Sequence, residues 1–439
     1  MARAPLRVCI DARLKGGGES GGVEQVIIGL ASGLSEIAQS GEEYLFLMRP
    51  GQEEWLLPYL KGRCSILHVK TSAVQHNDPT PAHRRLSFLE SVIELFPRAV
   101  RRNLEALRKV VELLRLREYK RQLRVPQSDG AIEEAGVDVM HQTLQAGFLT
   151  SVPCIYHPHD LQHRHLPQNF SRKEIAWRDL TYRALCEQAK LVAVSSSWVK
   201  QDIIRQFTIP QEKVKVIPLA PPTAAYPTPS KEDVAAAKRK FGIDGPFIIY
   251  PAQTWRHKNH IKLLRAVTLL ADKGCMVQVV CTGKKNENHD LLAAEMRKLK
   301  LEKQVKFLGF VSPLDLQCCY ELARAVVIPT KFEAASFPIW EAFAMGVPVA
   351  CSNVTALPEQ VGDAGLIFDP DNPAEIASAI ERLWHDDALR EQLVERGRVR
   401  LSQLSWVETA RIFRAEYKRL ANRHSNVSDE AAIARSSPC

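Results

Sequence analysis

No apolar run in this chain approaches the ~18 residues that would cross a bilayer as a helix, so no membrane span is expected. The opening stretch, MARAPLRVCIDARLKGGG, holds one short apolar run broken by Asp11 and Arg13, which reads as a strand and not as a secretory signal. There is no low-complexity tract and no internal repeat, which leaves an ordinary globular composition of 45% hydrophobic and 25% charged residues. The ten cysteines show neither metal-ligand nor disulfide-framework spacing. Cys9, Cys154, Cys281 and Cys351 sit in or beside apolar runs as small core residues, and the adjacent Cys318 and Cys319 are badly placed to bridge each other. A reducing, cytoplasmic setting is the expectation.

At 439 residues the chain is too long for one ordinary core. Short β-branched runs alternate with longer helical patterns, the signature of parallel sheets covered by helices. The expected strands of a first series are Leu6 to Asp11, Tyr44 to Met48, Asp138 to His141, Cys154 to His157, Leu191 to Val194 and Val214 to Pro218. A second series follows at Phe247 to Tyr250, Val277 to Cys281, Val305 to Leu308, Ala325 to Ile328 and Val347 to Cys351. Between them LAPPTAAYPTPSKED has no periodicity and reads as a linker. The expected organisation is therefore α/β, with Rossmann-like halves at 1–222 and 237–405 joined by a linker at 223–236. An amphipathic helix at 406–420 is expected to pack on either half, crossing back if it packs on the first, and a polar tail at 421–439 is expected to fray.

Charge is unevenly spread. Of the formal +9, the segment 84–124 carries +7, with twelve Lys/Arg against five Glu. Apolar residues there recur at helical spacing on both sides of Pro97, which reads as a basic helical insertion. Its cationic face is either simply solvated or touches an anionic membrane surface, and the latter would make the protein peripheral on the inner face of the membrane. Without interleaved aromatics, nucleic acid is not an expected partner.

The chemistry concentrates in a few segments. In Thr330-Lys-Phe-Glu-Ala-Ala-Ser-Phe-Pro-Ile-Trp-Glu341, a strand end is followed by a loop carrying Glu333 and by a helix opening near Pro338. Free N–H groups around Ser336, Phe337, Pro338 and Ile339 would face out of the carboxyl end of a parallel sheet and suit a diphosphate. Glu341, one turn into the helix, is placed to take two vicinal hydroxyls, as on a ribose. Tyr250-Pro-Ala-Gln253-Thr-Trp-Arg256-His-Lys258 puts cations at the tip of another strand-loop, where they can neutralise a departing diphosphate. Gly21 and Gly22 close a glycine-rich loop that lacks full dinucleotide-fingerprint spacing. Ser195-Ser-Ser-Trp198 ends a strand and caps a helix. His157, His159, His163 and His165 fall within nine residues, yet no second Cys/His cluster or HExxH accompanies them, so no metal is expected.

Glu333 and Glu341, separated by seven residues, with Phe-Pro between them and Gly346-Val-Pro-Val349 after them, resemble the E-x7-E motif of retaining nucleotide-sugar glycosyltransferases of GT-B fold, in particular family 4. The continuation Cys351-Ser-Asn-Val-Thr-Ala-Leu-Pro-Glu359 to Pro370 is also similar, and the resemblance runs from about Pro246 to Trp406. It implies two Rossmann-like domains facing across a central cleft, with no cofactor and no metal. It further implies Lys258 as the phosphate-binding lysine. Many relatives carry an arginine where Gln253 stands, so Arg256 substitutes for it or the second cation comes from elsewhere.

By the same resemblance, Gly21 and Gly22 approach the donor from the opposite wall. His159, oriented by Asp160, lies beside the transferred sugar together with Glu333. The base is expected against backbone at Val311. The implied partners are a nucleotide-diphosphate sugar and a glycan or lipid-linked saccharide acceptor. The HDLQH stretch is most similar to bacterial enzymes of surface polysaccharide assembly, which favours mannose from GDP-mannose, with UDP-hexose or UDP-N-acetylhexosamine as alternatives. A nucleotide-sugar isomerase of the same fold and a non-catalytic binding module are the rivals from other classes. The first would not need the paired glutamates, and the second would not need glutamates, lysine and His-Asp together.

Overall fold

The computed structural model describes residues 5–17, 21–68, 112–221 and 223–436, with side chains described as far as residue 422. Most of the basic segment expected at 84–124, and with it the membrane-facing reading, lies outside the described residues. No helix among those described is long and apolar enough to cross a membrane.

Among the described residues the chain forms two wholly parallel sheets. The first takes β1 (Leu6–Asp11), β2 (Glu42–Met48), β3 (Cys64–His68), β4 (Val139–Gln142), β5 (Cys154–Tyr156), β6 (Leu191–Val194) and β7 (Val214–Val216) in the order β3-β2-β1-β4-β5-β6-β7. The second takes β8 (Phe247–Pro251), β9 (Val279–Thr282), β10 (Val305–Gly309), β11 (Ala323–Ile328), β12 (Val349–Ser352) and β13 (Gly365–Phe368) in the order β10-β9-β8-β11-β12-β13. Central strands such as LVAV and VACS are buried on both faces, which is why they read as unbroken apolar runs and not as alternating ones. In each sheet the strand order reverses once, between β1 and β4 and between β8 and β11. Crevices for ligands open outside the carboxyl ends of strands at such reversals.

Two expectations need correction. The stretch 223–236 is not all irregular: Ser230 and Asp233 form a capping box that starts a helix at Lys231–Phe241. Those polar residues were read as linker, although a serine followed three positions later by an acid is a helix-start signal. The tail beyond Leu420 is helical as well, since the last helix runs Trp406–Ser436.

That last helix leaves the second half and lies against the first helix, Gly22–Ile37. Gly29 and Gly33, one turn apart, open the surface on which it rests: a Cβ on Gly29 would stand 1.9 Å from the Trp406 ring, and one on Gly33 2.4 Å from the Trp406 carbonyl. Phe413 and Tyr417 continue the contact over His141 of β4, whose Nδ1 lies 2.8 Å from the Tyr417 hydroxyl. At the edge, Glu42 accepts from Arg414 Nε at 2.9 Å and pairs with Lys418 Nζ at 2.7 Å. Burial alone would raise the Glu42 pKa, but these bonds, with those from the Gln39 amide and the Tyr44 hydroxyl, hold it down to about 2. A carboxylate depressed below its ordinary value stabilises the fold above that value and loses the contribution as pH falls through its folded pKa. Protection factors along the last helix, which divide out the intrinsic pH dependence of amide exchange, are therefore expected to fall between about pH 4.5 and pH 2. A Glu42→Gln protein, already lacking the charge, should show a flatter dependence over the same range.

Candidate active site

At the reversal of the second sheet, β8 runs into a loop and a 3-10 turn, Arg256–Lys258. Asn259 follows in the left-handed region (φ 60°), and its amide donates to the carbonyls of Pro329 and Pro370 at 2.8 Å each. The lysine loop is thereby fastened to the ends of β11 and β13. The Lys331 amide adds a 2.7 Å bond to the His257 carbonyl, and Tyr250 donates to the Lys258 carbonyl at 2.8 Å. Held this way, Lys258 Nζ forms an ion pair with Glu333 in the loop after β11. Burial pushes the Glu333 carboxyl up, the lysine pulls it back down, and the negative charge of Asp160 opposes its ionisation from the other half. Two of the expected residues thus meet as a half-buried pair at a sheet reversal.

The helix Phe337–Ala344 opens directly beyond, but fewer of its amides are available than the spacing suggests. Gln360 brackets the Ser336 peptide, accepting from its N–H at 2.8 Å and donating to its carbonyl at 2.6 Å. Pro338 has no N–H, and the Ile339 amide closes on the Ser336 carbonyl at 3.1 Å. Of the four positions, Phe337 alone keeps an amide with no partner among the described residues. Glu341 is 5% exposed and accepts from Tyr320 at 2.6 Å and from Tyr226 at 2.8 Å. Burial raises its pKa, and the two hydroxyls lower it again. Tyr226 lies in the connecting stretch between the sheets, so an expected ribose ligand is already tied to the hinge.

The remaining donor-side residues are less engaged. Gln253 accepts from the Trp255 indole at 3.0 Å, while Arg256 is exposed and makes no ion pair among the described residues. Val311 stands in the loop after β10, beside Phe310, whose ring is 59% exposed.

Facing these, the first sheet contributes the ends of β1, β4 and β5. Gly21 (φ 56°) turns the chain into the first helix, and Gly22 lies so close to the Phe337 ring that a Cβ would stand 3.1 Å from it. Here the two halves touch. His159 occupies the left-handed region (φ 63°), rare for a residue with a Cβ. Its orientation comes from Thr143 and not from Asp160 as expected: the turn brings Nε2 within 2.6 Å of the Thr143 carbonyl, and the ring stacks on His157 at 4.3 Å. A carbonyl only accepts, so Nε2 carries the proton and Nδ1 is an acceptor in the neutral ring. Burial lowers the His159 pKa and so favours that neutral form, against the Thr143 bond and the Asp160 charge. The Asp160 carboxylate is spent on the Gln162 amide at 2.9 Å. His163 and His165 turn away to Asp179 and Asp202, at 3.0 Å and 2.9 Å.

Sequence reasoning missed Asn259, Tyr226, Tyr320, Thr355 and Gln360. Each acts through a partner remote in the chain; Thr355 and Gln360 fall inside the Cys351 to Pro370 stretch and Asn259 follows Lys258, but nothing in those stretches marks them for these bonds.

Known proteins give a consistent comparison. Residues 68–223 match the family model described as Glycosyltransferase Family 4, and residues 233–400 that described as Glycosyl transferases group 1. O-antigen chain mannosyltransferase B of Escherichia coli is 30% identical over 249 residues. That alignment covers 56% of this chain and 65% of the relative, just under two thirds of its length. D-inositol 3-phosphate glycosyltransferase of Corynebacterium jeikeium is 28% identical over 292 residues, covering 62% of this chain and 68% of that one. Among solved structures, sucrose-phosphate synthase of Thermosynechococcus elongatus superposes with a TM-score of 0.64 at 20% identity, covering 95% and 99% of the two chains. Anabaena HepE in complex with UDP and glucose gives 0.65 at 17% identity, covering 94% and 100%. Both structural likenesses speak to the fold.

Proposed function

We infer that this chain, which belongs to the glycosyltransferases of GT-B fold and family 4 type, transfers a hexosyl group from a nucleotide-diphosphate sugar to a glycan or lipid-linked glycan acceptor. The observation that carries the reading is the half-buried Lys258–Glu333 pair at one sheet reversal, facing His159 at the end of β5 across a cleft closed by Gly22 against Phe337. Sugar transfer requires stabilisation of a departing diphosphate and of positive charge at the anomeric carbon. Lys258 and the Phe337 amide serve the first need. Glu333 and the Nδ1 acceptor of His159 bind sugar hydroxyls and place the anomeric carbon. Glu341 takes the ribose in exchange for one tyrosine hydroxyl.

The proposed course is retention of configuration without a divalent metal: the acceptor hydroxyl attacks from the leaving-group face, and the β-phosphate takes its proton. Mannose from GDP-mannose is the proposed donor, and the mannosyltransferase relative supports it. UDP-hexose is the second reading, supported by the UDP bound to a protein of like fold.

Thermal-shift measurements with GDP, UDP, dTDP and ADP, with and without EDTA, test this. Stabilisation by one diphosphate, indifferent to EDTA and lost in Glu341→Ala, is the expected result; at 100-fold excess over Kd it amounts to about 2.7 kcal/mol. A shift that needs a metal, or none with any nucleotide, would overturn the donor-site assignment. Formation of a new nucleotide sugar from donor alone would instead indicate an isomerase.

A further inference from the structure

Within the second half, the segment from Thr355 to Gln360 makes three connections at once. Thr355, itself left-handed (φ 51°), accepts from the Glu333 amide at 3.1 Å and donates to the Glu333 carbonyl at 2.6 Å. Gln360 holds both sides of the Ser336 peptide. Between them Glu359 reaches across to the first half. Its Oε1 and Oε2 accept the backbone N–H groups of Ser197 and Trp198 at 2.8 Å and 3.2 Å.

Those amides open the helix Ser197–Phe207, where Ser196 caps only Val199. The first N–H groups of a helix have no partner within it, and the positive end of its dipole favours an anion. Around this junction the Ser195 hydroxyl donates to the Ala334 carbonyl at 3.2 Å. The Phe332 ring lies 5.8 Å from that of Trp198 and 5.4 Å from that of His165. The first half therefore grips residues 332 and 334, on both sides of Glu333, at a point remote in sequence from the connecting stretch.

We propose that Glu359 is the latch of the cleft and a positioning residue for Glu333. Its carboxylate reaches the helix Ser197–Phe207 only when the halves are closed, and Thr355 and Gln360 pass that engagement to Glu333 and Ser336. The site is complete when the latch is engaged and loosened when it is not. Glu359 stands at the exposed rim, so its hold is modest and weakens with salt, in the range of about 3- to 10-fold on the closed population. The kinetic consequence rests on the sugar-transfer reading; the conformational one does not.

The test uses the full chain with Glu359→Ala, Glu359→Gln and Ser195→Ala. Small-angle scattering without added nucleotide should show a larger radius of gyration for Glu359→Ala than for the wild type. Raising NaCl from about 50 to 500 mM should expand the wild type and leave Glu359→Ala unchanged. In transfer assays kcat should fall about 3- to 10-fold with donor KM within about twofold, and Glu359→Gln, which keeps one acceptor oxygen, should fall between. Scattering identical to wild type at both salt concentrations in Glu359→Ala, or an expanded variant with unaltered kcat, would overturn the latch. If Glu359→Ala does not fold, Glu359→Gln and Ser195→Ala decide by the same readouts. A wild type that transfers no sugar would count against the function, while the salt-dependent scattering would still decide for or against the latch.

Discussion

Replacing Lys258 with methionine is expected to lower kcat/KM for sugar transfer by about 10²- to 10³-fold, the cost of removing one preorganised group from a developing anion. The same change strands the Glu333 carboxylate, whose side chain is 16% exposed and has Lys258 as its ion-pair partner. Leaving such a group unpaired costs about 1–3 kcal/mol at neutral pH. The loss has a signature in pH. With the lysine gone, burial and Asp160 alone act on Glu333, so its raised pKa rises further. An acid whose pKa is raised in the folded state contributes stability at low pH that disappears as pH rises through the folded value. Lys258→Met should therefore recover towards wild-type stability as pH falls from about 7.5 to 5. The double substitution Lys258→Met, Glu333→Gln should be more stable than Lys258→Met at pH 7.5 and no more active. Equal stability of the single variant at both pH values would mean that the pair is not coupled as the geometry indicates.

The largest effect on stability is expected at a position with no chemistry. Gly33→Ala sets a Cβ 2.4 Å from the Trp406 carbonyl and 2.9 Å from the Ala410 Cβ, backbone and short side chain that cannot swing aside. Alanine would gain up to about 1 kcal/mol in helix propensity, and overpacking typically costs about 1–3 kcal/mol or more. At this distance the second effect wins. The expected outcome is undocking of the last helix, seen as increased hydrogen exchange in residues 406–422 and exposure of Trp406, which is 8% exposed in the native fold. Gly29→Ala is milder in kind, because its obstacle is the Trp406 ring and a smaller residue at 406 can make room. Gly29→Ala with Trp406→Leu should be less perturbed than Gly29→Ala alone, whereas no side-chain change at 406 relieves Gly33→Ala.

The strands at the centres of both sheets were legible because burial on two faces leaves a run of β-branched residues. Of the four edge strands among the described residues, β7 and β10 were legible in the sequence, whereas β3 and β13, CSILH and GLIF, were not. They are short, partly exposed edges with weak patterns, and are fixed by one neighbouring strand each. At the site, Glu333 and Glu341 could be picked out by their resemblance to the E-x7-E motif, and Lys258 by its resemblance to the family's phosphate-binding lysine. What surrounds them could not. Tyr226 lies in a Pro-rich stretch that carries no periodic signal, and Glu359 is an ordinary acid in a short helix. Their roles exist only once the chain has crossed between the halves. His159 was legible as a residue, yet its orientation was not, because a positive φ leaves no mark on a histidine in sequence.

The helical layer of the first sheet is finished by residues that follow the whole of the second half. During synthesis, at about 5–20 residues per second, the face around Gly29, Leu30 and Gly33 must wait on the order of tens of seconds for Trp406, Phe413 and Tyr417 to emerge. Through that interval an apolar surface stands open on a nascent half that is otherwise able to form its sheet. Of the two halves the one translated earlier thus matures later, and ribosome pausing or premature release before Trp406 is added would leave it sticky, whatever the state of the second half.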